Sequence, residues 1–390
     1  MKVAVQEPPA PTPPERIFTR DFTLTCLSCF FLFGSFNLLL PTIPLYAVQL
    51  GASEAQTGLV VGIFAFGSLL LRPFMGYLAD RGSSKAMLLV GAAIFAVSSL
   101  SYLGASGLLV LLALRTFHGT GMSMYPTAAN AIVAELAPPR RRGEAMGFYG
   151  LSYTMSMALG PALGMALLRG LDFPGLFTVS ALTAVVGFAL ALPIATRRDP
   201  GLPGIPFRFY VPEALFPAAI LFTYCFTFGA VGTYVPLFAV QQGVGNPGLF
   251  FTAYALSVLA IRTLAGRLSD RRGRAAVIVP GLALVVLGLA ATAASTGLGT
   301  LLLGGVAYGL GFGMIHPALI AFTVDRTSSR ERGTALATLS SAFELGIALG
   351  AWVMGGLVAW VGLRGTFWLS ALFPLAGLIV LLVRGRRWGL

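Results

Sequence analysis

Charge is scarce in this sequence. Only 10% of its 390 residues are Asp, Glu, Lys or Arg, whereas 56% are hydrophobic and the mean hydropathy is +0.84. Ordinary soluble domains carry about 25% charged residues. Apolar runs of about 20 residues follow one another along nearly the whole chain, and such surface cannot be covered in water. A water-soluble enzyme or binding domain is therefore excluded, and an all-α integral membrane protein is predicted.

Cysteine and histidine are also rare, with three and two copies. Cys26, Cys29 and Cys225 all fall inside apolar runs, without an acid or histidine beside the Cys-x-x-Cys spacing, so we interpret them as packing residues. The sequence has no Ser-centred nucleophile motif and no lysine-bearing phosphate loop in a plausible context. A membrane enzyme or receptor is the least favoured class, and neither a metal nor a cofactor is expected.

Long apolar runs make up most of the sequence. Each reaches the ~20 residues needed to cross ~30 Å of hydrocarbon. Because lipid offers no hydrogen-bond partners, the backbone must form helices there. The 48 glycines and 24 prolines are ordinary in membrane helices. The twelve predicted spans are 22–48, 55–79, 86–105, 108–136, 144–169, 174–196, 213–241, 247–268, 275–295, 298–324, 333–361 and 365–384.

The formal net charge of +12 indicates orientation rather than nucleic-acid binding. Basic residues collect in the even-numbered connections and at the termini, whereas the odd-numbered connections hold only Arg169 and Arg364. Since basic residues favour the cytoplasmic side, both termini are predicted inside a cytoplasmic (inner) membrane that the chain crosses many times. Residues 1–20, with the stretch "PPAPTPPER", are predicted to be a disordered cytoplasmic tail.

An internal repeat organises the chain. One constant offset in numbering places Arg72 on Arg262, Gly119 on Gly309 and Gly160 on Gly350, and "PLYAVQLG" (44–51) matches "PLFAVQQG" (236–243) at an offset larger by two. We therefore predict a six-helix bundle at 21–196, a cytoplasmic linker at 197–212 and a second six-helix bundle at 213–390. Two pseudo-symmetric bundles inserted the same way up enclose a cleft that rocking can open to either side.

The segments "GYLADRGSSK" and "GRLSDRRGR" resemble the repeated loop signature of the major facilitator superfamily. The resemblance covers the whole chain apart from the tail, although Ser83 and Ser84 depart from the usual Gly and basic residue. It implies a cytoplasmic gate in which Asp80 faces a helix N-terminus of the other half. Arg81 would pair with Glu135, and Arg271 with Asp325. The implied gate residues are Arg72, Gly76, Asp80, Arg81, Glu135, Arg262, Gly266, Asp270, Arg271 and Asp325.

Two further motifs resemble those of particular branches of the family. "RTFHGTG" (115–121) is similar to the fourth-helix motif of proton-linked members, and "LGPALG" (159–164) to the fifth-helix motif associated with antiporters. In the second motif Gly160 and Gly164 allow another helix to approach closely, and Pro161 frees a backbone carbonyl. Helix packing alone also explains these residues. The resemblance to drug efflux proteins rests on the motifs.

Ionisable residues deep in a span are expensive and point to function. Glu344 is the only carboxylate predicted near the membrane midplane, and it is our leading candidate for proton coupling. Arg115 and His118 share one face of the fourth span and join it as candidates. The alternative for Glu344 is a structural hydrogen-bonded partner, and for His118 and His316 it is buried polar packing.

Aromatic and sulfur side chains would line the cleft of such a protein and suit apolar or amphipathic solutes. Ordinary helix packing is the equal alternative for these side chains. We expect a monomer that moves a small-molecule substrate across the lipid bilayer by alternating access, with the proton gradient as energy source and proton-coupled efflux favoured. A proton symporter that imports a sugar or organic acid is the alternative. The predicted cavity residues are Asn37, Phe33, Tyr153, Met157, Tyr224, Phe228, Tyr234 and His316.

Overall fold

The computed structural model describes residues 16–80, 84–138, 141–196, 210–328 and 331–385. Within these ranges the chain forms only helices, and nine helical segments are long and apolar enough to cross a membrane. The prediction of an all-α membrane protein is confirmed. The helices are α1 (Arg20–Leu39), α2 (Thr42–Gln49), α3 (Glu54–Asp80), α4 (Ser84–Ser101), a short 3-10 helix (Tyr102–Gly104), α5 (Leu108–Leu136), α6 (Arg142–Ala191), α7 (Pro212–Gln241), α8 (Gly248–Arg272), α9 (Ala275–Ala293), α10 (Leu298–Arg326) and α11 (Arg332–Arg384).

The first helix starts inside the segment predicted to be a tail. The Thr19 hydroxyl accepts a hydrogen bond from the Phe22 amide (3.3 Å) and caps α1, and Ile17 is buried. The predicted tail is therefore too long by several residues, while residues 1–15 lie outside the described chain. The first predicted span is divided into α1 and α2 at Leu40 and Pro41, since proline lacks the amide that a continuous helix needs.

Helix α6 spans 50 residues and reverses direction at Asp172, whose φ of 55° is not helical. Before Asp172, α6 runs parallel to α1 along their contact. After Asp172, it runs antiparallel to α1. The helix is thus a hairpin of two segments packed on α1. The contacts are Phe33 with Tyr153 and Leu38 with Gly164 before the reversal, then Ser28 with Gly187 and Ser35 with Ser180 after it.

Helix α11 repeats this arrangement against α7. Its 53 residues are interrupted by Gly362, which has a φ of 69°, a left-handed conformation that glycine adopts readily. The first segment runs parallel to α7 and the second antiparallel, so α11 is also a hairpin. The contacts are Cys225 with Gly346 and Tyr234 with Gly355 before the reversal, then Thr223 with Gly377 and Phe238 with Phe367 after it.

Equivalent glycines make equivalent contacts in the two copies of the repeat. A Cβ added to Gly121 of α5 would lie 3.2 Å from the carbonyl oxygen of Gly91 in α4. The corresponding Cβ on Gly311 of α10 would lie 2.6 Å from the carbonyl oxygen of Gly281 in α9. Both helix pairs therefore approach backbone to backbone at equivalent positions of the repeat. This contact supports the internal repeat in three dimensions.

The start of α1, the start of α4 and the end of α6 meet on one face, which we call the terminal side. There the Asp21 carboxylate accepts from the Ala195 amide (3.1 Å), and the Lys85 ammonium donates to the Ala191 carbonyl (2.7 Å). We call the opposite face, where α3 begins, the far side.

The two halves pack closely toward the far side, where α3 crosses α11 and α6 crosses α8. Gly62 of α3 lies so near α11 that a Cβ would come within 2.7 Å of the Ala348 carbonyl oxygen. Asn246 donates to the Ala162 carbonyl (3.1 Å), and Thr252 to the Ala158 carbonyl (2.6 Å). Small residues and main-chain carbonyls thus close the far side.

A glycine of the α7–α11 contact tests how far the fold depends on close helix approach. A Cβ on Gly350 would overlap the Phe226 carbonyl oxygen, whereas one on Gly356 of the same helix meets nothing within 4 Å. We expect Gly350→Ala to destabilise the purified protein by about 1–3 kcal/mol, the usual cost of overpacking. Gly356→Ala should be neutral or stabilising, because Ala favours helix over Gly. Thermal unfolding in detergent measures both, and equal melting temperatures would contradict the packing argument.

Candidate functional site

An ion pair between a buried carboxylate and a half-buried guanidinium joins the two halves. Glu344 of α11 is 3% exposed, and its Oε1 lies 2.5 Å from Nη2 of Arg72 on α3. The hydroxyl of Ser68, one helical turn before Arg72, lies 3.4 Å from the same oxygen. The predicted proton-coupling carboxylate is therefore paired with a cation from the other half of the molecule.

The family resemblance assigns Arg72 to the gate, and the structure pairs it with Glu344 of α11. Arg72 lies about 12 Å before the end of α3 at helical rise, and Glu344 about 18 Å after the start of α11, so their pair is deep in the bundle. Ser68 and Arg72 are four residues apart and share the helix face toward α11. Isolated buried charge is unfavourable, so mutual neutralisation explains why the two side chains meet.

Arg115 and His118 form a second polar cluster, enclosed in the first half. The Arg115 Nε donates to the Val60 carbonyl (3.2 Å), and its guanidinium carbon lies 4.3 Å from the centre of the Phe64 ring. His118 shares a hydrogen bond between Nδ1 and the Tyr102 hydroxyl (3.0 Å). Their described partners all belong to the first half, unlike those of Glu344. Cation–π contact and a main-chain carbonyl stabilise Arg115 without a carboxylate.

His316 lies in a corresponding aromatic cluster of the second half. Its Nδ1 shares a hydrogen bond with the Tyr224 hydroxyl (2.8 Å). Its ring lies parallel to that of Phe312, with centroids 5.7 Å apart, and Phe228 packs against the same phenylalanine at 5.7 Å. Tyr224, Phe228 and His316 were all predicted cavity residues, and the structure brings them together.

Other predicted cavity residues are part of the helix packing in this conformation. Tyr234 is fully buried, and its hydroxyl donates to the carbonyls of Ala351 (2.8 Å) and Glu54 (3.3 Å) across the far side. Asn37 is 1% exposed and donates to the Ser156 hydroxyl (3.1 Å). Met157 is buried with the core of the second half, and Phe33 and Tyr153 pack edge to face at 4.7 Å.

The antiporter-like motif positions α6 against two neighbours. Gly160 packs on Asn37, and Gly164 on the backbone of Leu38, so both glycines hold α6 close to α1. The Pro161 carbonyl lies against Gly248 of α8. The packing alternative considered for this motif thus has direct contacts in the structure.

The second copy of the loop signature differs from the predicted pairing. Asp325 lies 2.9 Å from Nη2 of Arg274, not beside Arg271, and Asp270 lies 2.7 Å from Nη1 of the same arginine. Gly273, with a φ of 89°, turns the chain so that Arg274 reaches both acids. Burial by itself lowers the pKa of Arg274, but the hydrogen bonds to Asp270 and Asp325 outweigh it and raise that pKa above the ordinary value.

The first copy of the signature is only partly described. Arg81 and the side chain of Asp80 lie outside the described residues, as does any contact of Gly76. Glu135 has an interaction partner, and a Cβ on Gly266 would meet nothing within 4 Å. Within the described ranges, no group of three His, Cys, Asp or Glu residues is placed to hold a metal ion.

Helices that cross the membrane in two repeated halves, around buried charged groups at their junction, define a membrane transporter fold. The sequence profile of the Major Facilitator Superfamily matches residues 25–261 and 245–388. The chain belongs to the major facilitator superfamily.

Individual relatives support the same class. The chain is 26% identical to the staphylopine export protein of Staphylococcus aureus, covering 94% of each chain. It is 24% identical to a multi-drug resistance efflux pump PmrA homolog of Lactococcus lactis, covering 95% of this chain and 96% of that protein. A bacterial homolog of the human lysosomal transporter Spinster, in an inward-facing and occupied conformation, superposes with a TM-score of 0.77 at 18% identity, covering 96% and 98% of the two chains.

A double-mutant cycle tests the pair that joins the halves. Glu344→Gln leaves the Arg72 guanidinium without a counter-ion, and this group does not lose its proton, whereas the carboxyl left by Arg72→Gln can become neutral by protonation. We expect Glu344→Gln to be the more destabilising, and the double variant to cost about 1–3 kcal/mol less than the sum of the single variants.

The matched control is the pair Arg141–Glu144, whose side chains are 44% and 47% exposed. Its cycle should show no resolvable coupling, because exposed pairs are screened by water. Thermal unfolding at one pH and salt concentration measures both cycles. Strict additivity at Arg72 and Glu344 would contradict an energetically coupled pair.

Proposed function

We propose that this chain is a proton-coupled antiporter that exports a small amphipathic solute across the cytoplasmic membrane. In this proposal the chain crosses the membrane twelve times, because α6 and α11 each supply two crossings and the broken α1–α2 segment supplies one. The terminal side is then the cytoplasmic side.

The Glu344–Arg72 pair carries the proposal. Protonation of Glu344 would remove the negative charge that neutralises Arg72 and would weaken the contact between α3 and α11. A change at one carboxylate would therefore alter the free energy of the junction between the halves, which is what coupling of a proton to alternating access requires. The pair lies between the tightly packed far side and the terminal side. A change in the charge of Glu344 there would influence whether the two halves separate at the far side.

The energy available from the movement of one proton is sufficient to concentrate a solute across the membrane. A potential of 100 mV contributes about 2.3 kcal/mol per elementary charge moved, equivalent to about a fifty-fold concentration ratio. The aromatic residues around His316 favour a solute with an apolar part. Two relatives, the staphylopine export protein and the PmrA homolog, are named for export, which favours the outward direction.

Reconstitution into liposomes tests both the coupling and the direction. We expect inside-out protein to accumulate an amphiphilic probe, either ethidium or 1-naphthylacetate, when the lumen is made acidic. Glu344→Gln should abolish accumulation driven by the pH gradient and retain exchange of probe across the membrane without a gradient. The physical reason is that the amide cannot carry the proton but preserves the shape of the side chain.

The control is Glu144→Gln, which removes an exposed carboxylate from the same protein. It should accumulate the probe as the wild type does. Gradient-driven flux with wild-type pH dependence in Glu344→Gln would overturn the assignment of Glu344. Uptake of the probe together with protons in right-side-out vesicles would favour the symporter instead.

A further inference from the structure

Arg262 is the counterpart of Arg72 in the second copy of the repeat, at the same offset that relates Gly119 to Gly309. It lies on α8, about 21 Å after the first residue of the helix and about 15 Å before its last. Its Nη1 is 3.5 Å from the position that a Cβ on Gly150 would occupy. Arg262 therefore faces α6 of the other half, just as Arg72 faces α11.

The facing helix lacks the carboxylate in this second copy. The position equivalent to Glu344 is Thr154, whose hydroxyl donates to the Gly150 carbonyl in its own helix (2.9 Å). In the part of the chain that the structure describes, Arg262 has no carboxylate or hydrogen-bond partner, and its side chain is exposed. A guanidinium at this depth is costly unless it meets water or an anion.

Arg262 differs in this respect from Arg72 and Arg115. Arg72 is neutralised by Glu344, and Arg115, at 4% exposure, is satisfied by the Val60 carbonyl and the Phe64 ring. Arg262 is accessible and retains all five N–H donors for a ligand. A planar guanidinium with free donors is suited to bidentate recognition of a carboxylate or a similar anion.

The surroundings of Arg262 add a second polar side chain and an apolar wall. Helix α8 packs on α10 beside Arg262, because a Cβ on Gly313, one helical turn before His316, would lie 2.6 Å from Cγ2 of Ile261. Arg262 and His316 are therefore close enough to interact electrostatically. His316 uses Nδ1 with Tyr224, which leaves Nε2 as its remaining ring nitrogen. The ring of His316 also packs against Phe312 and, at 5.6 Å, Phe343. The cation, the imidazole and the aromatic rings thus belong to one region between α6, α8 and α10.

We propose that Arg262 and His316 form the anion-binding end of the solute site, so that the transported solute is an amphiphile with a carboxylate or comparable anionic group. The aromatic rings beside His316 contact its apolar part. This inference rests on the proposed transport function and narrows its substrate class. In the second copy of the repeat, the solute supplies the negative charge that Glu344 supplies in the first.

Binding to purified protein in detergent tests the inference without requiring transport. Paired ligands share an aryl group and differ in charge: 1-naphthylacetate against 1-naphthylacetamide, with the corresponding aryl sulfonate and aryl phosphate. Thermal stabilisation and calorimetry measure binding. At least one anion should bind the wild type about tenfold or more tightly than the neutral amide, the scale of a hydrogen bond to a charged group. Arg262→Gln should abolish that preference, and Arg262→Lys should retain part of it.

Gly150 offers a matched pair of variants that leaves Arg262 intact. Gly150→Asp places a carboxylate within reach of the guanidinium and imitates the Arg72–Glu344 pair, so it should compete with the anion and reduce binding as Arg262→Gln does. Gly150→Asn has nearly the same shape without the charge and should bind as the wild type does. Arg267→Gln, at an exposed arginine five residues along α8, is the control for loss of positive charge.

The outcomes separate this inference from the proposed function. If no anion of the panel prefers the wild type over Arg262→Gln, or if Gly150→Asp and Gly150→Asn bind alike, the inference is overturned even where gradient-driven flux is observed. Anion binding that depends on Arg262 but without proton-driven flux would overturn only the proposed function. The binding measurement is repeated with added phosphatidylglycerol to test whether the natural ligand is a lipid headgroup. If the lipid displaces the anionic probe and no soluble anion is transported, the site binds lipid and the solute site is contradicted.

Discussion

A charge in the low-dielectric interior of a membrane protein needs a partner, and the partner of Glu344 belongs to the opposite half of the molecule. The pair with Arg72 couples the ionisation state of one carboxyl group to the contact between α3 and α11. If each half neutralised its own charges, the two bundles could separate without electrostatic cost, and protonation would not affect their junction. Because the charges are divided between the halves, separation and protonation influence the same free energy.

The rest of the junction is built from different chemistry. Toward the far side, Gly58 and Gly62 of α3 let the carbonyls of α11 approach directly, and Tyr234 donates to carbonyls of both halves. Such contacts depend on close shape complementarity and are lost when helices separate by a small distance. The junction therefore has a zone that depends on close contact and, deeper along the same helix pair, an ion pair whose charge protonation of Glu344 would change.

The fold could be anticipated from the sequence because its determinants are local or repeated. Lipid forces every apolar run of sufficient length into helix, and the internal repeat relates the glycines at the α4–α5 and α9–α10 contacts. The partners of individual charges could not be anticipated. Whether Arg72 meets Glu344, or Asp325 meets Arg274 instead of Arg271, depends on helix rotation and on the turn at Gly273. The missing carboxylate opposite Arg262 can be read from the sequence, since Thr154 aligns with Glu344. Its consequence follows only from the structure, in which Glu344 pairs with Arg72.

The two copies of the repeat have diverged at one interaction while preserving the geometry around it. Both copies keep an arginine at the same depth, facing the first segment of a hairpin helix from the other half. One copy adds Ser68 and Glu344 to that arginine, and the other replaces them with Val258 and Thr154. A duplicated bundle with both pairs intact would have two internally neutral junctions and no accessible charge for an anionic solute. The absence of the acid from the second copy leaves a cation that an incoming anion can neutralise, while the first copy has an acid that a proton can neutralise. Under the proposed function, similar architecture would serve ion coupling on one side of the cleft and solute recognition on the other.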